Sequence, residues 1–214
     1  MIKLSVVKKL GNIKSWSLEA INTCPGSKDN HGNTVDACKV CYASKGRYRF
    51  GSVKATRQNN YIDWKRDDWV SDMVEALDND RFFRWFDSGD IFHPELAKKI
   101  LVVCQRTPWV SHWIPTRSHK FPKIRTYLEQ LNQLQNVCVR YSSDSIVGEY
   151  NEEHGSIIID DETIHAIEGV YICPASQQHG TCQKCRACWD KTVPVVAYRL
   201  HGVSQKKRLQ LKQV

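Results

Sequence analysis

Between Trp16 and Gly202 the spacing of apolar residues switches repeatedly between two periods, and that alternation narrows the folds open to the chain. "SWSLEAI" sets Trp16, Leu18 and Ala20 on one side at a period of two, as a strand does. "VKATRQNNYIDWKRDDWVSDMVEALDN" then carries Ile62, Trp69, Met73 and Leu77 at helical spacing. "RFFRWFDSGD" is an aromatic-rich second strand ending in turn residues. Pro94 suits the first turn of a helix that aligns Leu96, Ile100 and Val103. "HWIPTRS" reads as a short third strand, because Pro115 argues against a long central one. Ile124, Leu128, Leu131 and Leu134 share one face of the next helix. "NVCVRYSSD", "GSIIIDD" and "GVYIC" follow as strands, with a short helix from an Asp161 cap to a Gly169 stop before the last. "VPVVAYRLHG" is a further strand.

Repeated strand–helix–strand units imply parallel strands with right-handed crossovers. The expected fold is therefore α/β, a partial (β/α) barrel of about six mostly parallel strands with its chemistry at their carboxyl ends. Residues 1–172 would form the barrel, and 173–214 a cysteine-rich segment with a final strand and tail. At 214 residues one main domain is expected. No apolar run is long enough to span a bilayer, and "MIKLSVVKKLGNIKSW" lacks a signal-peptide core, so the expectation is a cytoplasmic protein with no membrane partner.

In a reducing compartment nine cysteines point to metal binding or catalysis rather than to disulfides. Seven of them fall in two groups, Cys24, Cys38, Cys41 and Cys173, Cys182, Cys185, Cys188, while Cys104 and Cys138 stand alone as core residues. The second group supplies four thiols in "CPASQQHGTCQKCRACW", enough for one tetrahedral zinc or one [4Fe–4S] cluster. Its overlapping Cys-x-x-Cys knuckles favour the cluster. The first group supplies three thiols, which on a [4Fe–4S] cluster leave one iron without a protein ligand. Two closures of that site stay open: His31 within the loop, or Cys173 from the other group.

These residues resemble those of radical S-adenosylmethionine enzymes: cysteines after the first strand, a small-residue/acid motif after the second, and a cysteine-rich auxiliary region. The resemblance implies an open cluster on Cys24, Cys38 and Cys41, a cofactor contact at Ser88, Gly89 and Asp90, and an auxiliary cluster on Cys173, Cys182, Cys185 and Cys188. S-adenosylmethionine would be the cofactor, reductively cleaved to a radical that abstracts hydrogen. "CxxCYA", "FDSGDIF", "PTRSHKFP" and "CPA…CxxCRACWD…VAYRLHG" resemble, more closely, the phage gene product 88 family of uncharacterised iron–sulfur candidates, and the resemblance implies the host cytoplasm if the chain is phage-encoded. The chain departs from the radical-enzyme pattern in its first spacing, with thirteen residues between Cys24 and Cys38, and in carrying Ser88 and Asp90 where Gly and Glu are usual.

Other polar residues at the strand ends have both a functional and a bland reading. Asp87 and Asp90 suit acid–base work or a helix cap; Arg117, beside Ser118, His119 and Lys120, suits an anion or a solvated turn. Arg140 needs a partner if it points inward. Tyr42, next to Cys41, would shield a cluster or touch a ligand. Asp87, Arg117 and Arg140 are thus the candidate catalytic side chains, and Tyr42 joins Ser88 to Asp90 as a candidate cofactor contact. A net charge of +8, with basic runs "KGRYRFGSVKATRQ" and "QKKRLQLKQV", suits a nucleotide or nucleic-acid partner, or simply a solubilising surface. Three functions follow: a radical enzyme with a small-molecule or nucleotide substrate and a redox partner, a non-enzymatic [4Fe–4S] carrier or sensor, and a zinc-stabilised nucleic-acid-binding protein.

Overall fold

The computed structural model describes residues 2–160 and 169–200. The chain opens with an antiparallel hairpin of β1 (Ser5–Val7) and β2 (Ile13–Trp16), of which β1 has no counterpart in the periodicity. β3 (Phe82–Trp85), β4 (Ser111–Thr116) and β5 (Val137–Tyr141) then add in parallel, giving the sheet order β1-β2-β3-β4-β5. β6 (Ser156–Ile159), β7 (Tyr171–Ile172) and β8 (Val196–Arg199) form a second parallel sheet in the order β6-β8-β7. A parallel bridge between Ser142 and Ser156 joins the two sheets, flanked by hydrogen bonds from the Ser143 N–H to the Ser156 carbonyl and from the Gly155 N–H to the Tyr141 carbonyl. The fold is mixed α/β, with a five-stranded mostly parallel sheet bridged to a three-stranded parallel one.

Among the described residues five α-helices complete it: α1 (Asp36–Lys39), α2 (Gly51–Asp63), α3 (Trp69–Ala76), α4 (Pro94–Arg106) and α5 (Pro122–Gln133). The stretch 53–79, with its helical spacing, forms two helices, α2 and α3. The break is held by Arg66, which donates to the carboxylates of Asp63, Asp68 and Asp72. The helix expected from Asp161 falls on residues 161–168, outside the described ones.

Side-chain alternation divides the larger sheet into two faces. Trp16, Phe83, Trp85, Ile114 and Val137 pack against Trp69 and Met73 of α3, Ile100 of α4 and Leu128 of α5. On the other face Ile13 and Trp113 meet Leu10, Trp189 and the C-terminal cysteines. α2 differs, burying the polar Arg57, Asn60 and Asp63; the Asn60 amide donates to the carbonyls of Lys3 and Ser17.

β4 is a central six-residue strand despite Pro115, contrary to the short strand expected. The Ser111 N–H points to the β3 side and the His112 N–H to the β5 side, so the proline nitrogen falls on the β3 side. Pairing with β3 ends at Trp113, and the missing donor therefore costs no ladder bond.

Candidate functional site

The loop from Cys24 to Cys41 is built outward from β2. Thirteen residues separate Cys24 from Cys38, yet they form a closed excursion. Lys28 bridges Thr34, the Val35 N–H donates to the Ser27 carbonyl, and the Asp29 carboxylate accepts from the backbone of His31 and Asn33. The chain thus returns to its starting point, and Cys24, Cys38 and Cys41 act on one another electrostatically. His31 sits at the exposed tip of this excursion. The base is pinned to the sheet: a Cβ on Gly26 would lie 2.4 Å from the Arg117 carbonyl oxygen, and the Ala37 N–H donates to the Asp144 carbonyl at 2.9 Å.

Asp90 organises this rim. Its buried carboxylate accepts from the Thr116 hydroxyl (2.7 Å), the Ile91 N–H (2.7 Å) and the Arg117 N–H (2.8 Å), tying the end of β3 to the end of β4. Burial pushes its carboxyl up, although those three donors oppose the rise. Burial also pushes up Cys24, with Asp90 adding to the effect, and Cys38, where the Arg117 guanidinium opposes it. Arg117 donates to the Ser143 carbonyl at 2.6 Å and lies 3.4 Å from Asp144.

The remaining candidates of this rim are bonded to one another. Asp87 accepts from Arg84 Nη1 at 2.9 Å and from the Tyr48 hydroxyl at 2.6 Å. Tyr42 donates to the Asp87 carbonyl at 2.8 Å and accepts from Arg84 Nη2 at 3.1 Å. The Ser88 hydroxyl donates to the Leu18 carbonyl and accepts from Arg57 Nε. Gly89 has φ +79°, and a Cβ there would lie 2.5 Å from that of Leu18. The structure therefore gathers Cys24, Cys38, Cys41, Tyr42, Asp87, Ser88, Gly89, Asp90 and Arg117 at the carboxyl ends of β2 to β4.

The second thiol group is held elsewhere. Cys173 follows β7, its N–H donating to the Ala197 carbonyl, but the Cys182 N–H donates to the Lys9 carbonyl in the β1–β2 connection. Cys182 and Cys188 pack with Leu10, Ile13 and Trp113, over the sheet face rather than on the rim where both groups were expected to meet. Cys173 acts electrostatically on Cys182 and Cys188. The Tyr171 hydroxyl lies 3.4 Å from Cys185 Sγ and the Tyr198 hydroxyl 3.1 Å from Cys188 Sγ. Burial pushes Cys188 up to about 11.

Arg140 belongs to this second group, not to the rim. Its guanidinium, on a residue 2% exposed, donates to carbonyls of Gly155, Ala187, Cys188, Asp190 and Val193 at 2.7–3.0 Å. Every N–H is thereby taken, and Arg140 clamps residues 187–193 to β5. An inward arginine needing partners was legible in the sequence; that its partners are all carbonyls was not.

Arg84, which sequence reasoning passed over, lies between the two groups. It bonds Tyr42 and Asp87 on the rim, sits 4.7 Å from the Trp113 ring centroid, and acts on Cys188 electrostatically. Trp113 in turn meets Trp189 at 5.2 Å, beside Cys188. The signal was the alternation in "FFRW", which puts Arg84 on the face opposite Phe83 and Trp85. Among the described residues no three Cys, His, Asp or Glu side chains stand so that they could hold one metal ion. Cys104 and Cys138 are buried in the core.

The sequence pattern of the family described as Gene product 88 matches residues 2–191, a span that contains every residue of both thiol groups. The chain belongs to the Gene product 88 family. No curated protein and no solved structure matches it. For this Gene product 88 protein the site therefore rests on its own geometry. Among the described residues no helix is long and apolar enough to cross a membrane.

Proposed function

We propose that this protein is an iron–sulfur redox protein of radical S-adenosylmethionine type. Cys173, Cys182, Cys185 and Cys188 would hold one [4Fe–4S] cluster, and Cys24, Cys38 and Cys41 a second with an open iron. The observation that carries this reading is the partition of thiols: seven free cysteines gather in two groups whose members act on one another, and two stay apart, buried in the core. A cluster holds each thiolate on a different iron, and the overlapping Cys-x-x-Cys spacing of Cys182, Cys185 and Cys188 suits that arrangement.

When bound, such clusters supply one-electron chemistry. The chain's own residues set the surroundings. Arg117 places positive charge beside Cys38, offsetting the negative charge that thiolates and Asp90 bring to the rim. The Tyr171 and Tyr198 hydroxyls stand within reach of Cys185 and Cys188 as donors. Tyr42 and Asp87, fixed by Arg84, form the wall beside Cys41.

One observation favours a carrier or sensor over an enzyme: Ser88 and Asp90, the expected cofactor contacts, have their oxygens bonded within the protein. Iron, acid-labile sulfide and zinc per chain, measured after anaerobic reconstitution beside a Cys24→Ala/Cys38→Ala/Cys41→Ala variant, test the reading. About eight irons falling to about four in the variant is the expected result. Cleavage of S-adenosylmethionine by the reduced protein then separates enzyme from carrier. About four irons in both forms would remove the open site, and zinc without sulfide would overturn the proposal in favour of a zinc-stabilised nucleic-acid-binding protein.

A further inference from the structure

Beside the first thiol group, and separate from it, lies a cavity of about 210 Å³ between residues 43–44 of the cysteine loop and the first turns of α2. Its lining includes Arg49, Lys54 and Arg57 against a single acid, Glu19, with Tyr48 and Ser88 between them. Three cations and one carboxylate leave the cavity with a net positive wall.

Arg57 is the unusual member. Its side chain projects from α2 into the protein and is only 5% exposed, yet both of its bonded partners are neutral. Nε donates to the Ser88 hydroxyl oxygen at 2.8 Å and Nη1 to that of Ser5 at 3.0 Å. Nη2 has no partner among the described residues, and no carboxylate pairs with the guanidinium. Asp87, an acid that acts on it through space, is already bonded to Arg84 and Tyr48. A buried cation without a bonded anion is costly to maintain; Arg140 offsets that cost by filling every N–H with a carbonyl, whereas Arg57 leaves Nη2 unfilled at the cavity wall. Arg49 and Lys54 likewise form no ion pair among the described residues and stand exposed at the cavity mouth.

The start of α2 adds to the same field. Thirteen residues long, the helix has no side-chain cap on its Phe50 N-cap and no acid in its first turn. Its first N–H groups and the positive end of its dipole therefore lack the usual protein acceptor near the cavity.

We propose that this cavity binds the phosphate group of a small phosphorylated molecule. The unfilled Nη2 of Arg57 meets a phosphate oxygen from below, while Arg49 and Lys54 close over it. The volume admits a phosphate and a few further heavy atoms, so the remainder of a larger ligand would extend past Glu19 into solvent. The inference does not rest on the iron–sulfur reading, since it requires neither thiol group to be loaded.

Calorimetric titration of the full chain with inorganic phosphate, ribose 5-phosphate and ribose, at matched ionic strength, tests it. Saturable binding of a phosphate probe at one site per chain is expected, absent for ribose. Inorganic phosphate binding as tightly as the ester assigns the site to free phosphate; tighter ester binding assigns it to a phosphorylated metabolite. Arg57→Gln should weaken binding about tenfold or more, the size expected for one charge-assisted contact. Because Arg57 is buried, the exposed pair Arg49→Gln/Lys54→Gln is the second arm and should produce a comparable loss with the fold intact. Lys123→Gln on α5, exposed and remote, should change nothing. The proposal is overturned if no phosphate probe binds saturably, if ribose binds as well as its phosphate, or if the Arg49/Lys54 double variant binds as the wild type does.

Discussion

Replacing Arg140 with methionine asks whether a single guanidinium holds the cysteine-rich segment to the sheet. Two of its bonds are wholly buried, Nε to the Cys188 carbonyl at 3.0 Å and Nη2 to the Ala187 carbonyl at 2.7 Å. Methionine fills similar space but donates nothing, so both carbonyls lose this donor. Bonds to a charged group contribute about 1.5–3 kcal/mol each, or roughly 3–6 kcal/mol for the two. The part-buried acceptors on Gly155, Asp190 and Val193 lie nearer solvent, where water replaces the guanidinium. Methionine also relieves the cost of burying an unpaired cation, which moves the expected loss to the lower end, about 3 kcal/mol. That is a large share of a typical domain stability of about 5–15 kcal/mol. Urea unfolding followed by tryptophan fluorescence should show the midpoint falling by about 1.5 M at a slope near 2 kcal/mol/M. Buried Cys182 and Cys188 should also react faster with a thiol reagent in the variant. Arg140→Lys should rescue little, because one ammonium cannot span carbonyls spread from Gly155 to Val193. A midpoint shift below about 0.25 M with unchanged thiol reactivity would refute the clamp.

A pH dependence follows from His112, whose pKa burial pulls down to about 3. Trp85 Nε1 donates to its Nδ1 at 3.3 Å, so its Nε2 carries the proton and faces the Thr107 hydroxyl at 2.8 Å, a neutral tautomer. In the unfolded chain the same group protonates near 6.5, so below that pH the unfolded state gains a proton that the native state refuses. Stability should therefore fall with pH from about 6.5 towards 3, by at most about 5 kcal/mol from this group, and His112→Gln should flatten that limb of the stability curve. Gly89→Ala should lower stability by about 2–4 kcal/mol, combining a left-handed backbone with a clash against Leu18. Gly51→Ala, whose Cβ meets open space, should leave the thermal midpoint unchanged or higher, and equal midpoints for the two variants would contradict the packing at Gly89.

Much of the local structure was legible because it depends on residues close in the chain. The helices at Pro94 and Pro122, the strands at residues 82–85 and 137–141, and the aromatic core around Trp16, Trp69 and Trp85 all follow from periodicity and start signals. The rim residues from Asp87 to Arg117 were legible for a related reason: parallel strands bring their carboxyl ends to one edge. Pro115 misled because the cost of a proline depends on which neighbour its nitrogen faces, and only the sheet register settles that. Arg57 escaped notice because nothing in "KATRQNN" marks a burial that only the approach of Ser88 and Ser5 creates.

The sequence by itself determined the alternation of strands and helices, the division of seven cysteines from two, and the family to which the chain belongs. All of these are carried by spacing along the chain. The tertiary structure alone decided that β8 enters between β6 and β7, that the second thiol group lies over the sheet face, and that Arg84 stands between the two groups. Such placements come from contacts between residues a hundred positions apart, such as Trp189 Nε1 on the Phe83 carbonyl. Strand order and the direction of an inward charge are settled when whole elements compete to bury the same surface, and no local window of sequence contains that competition.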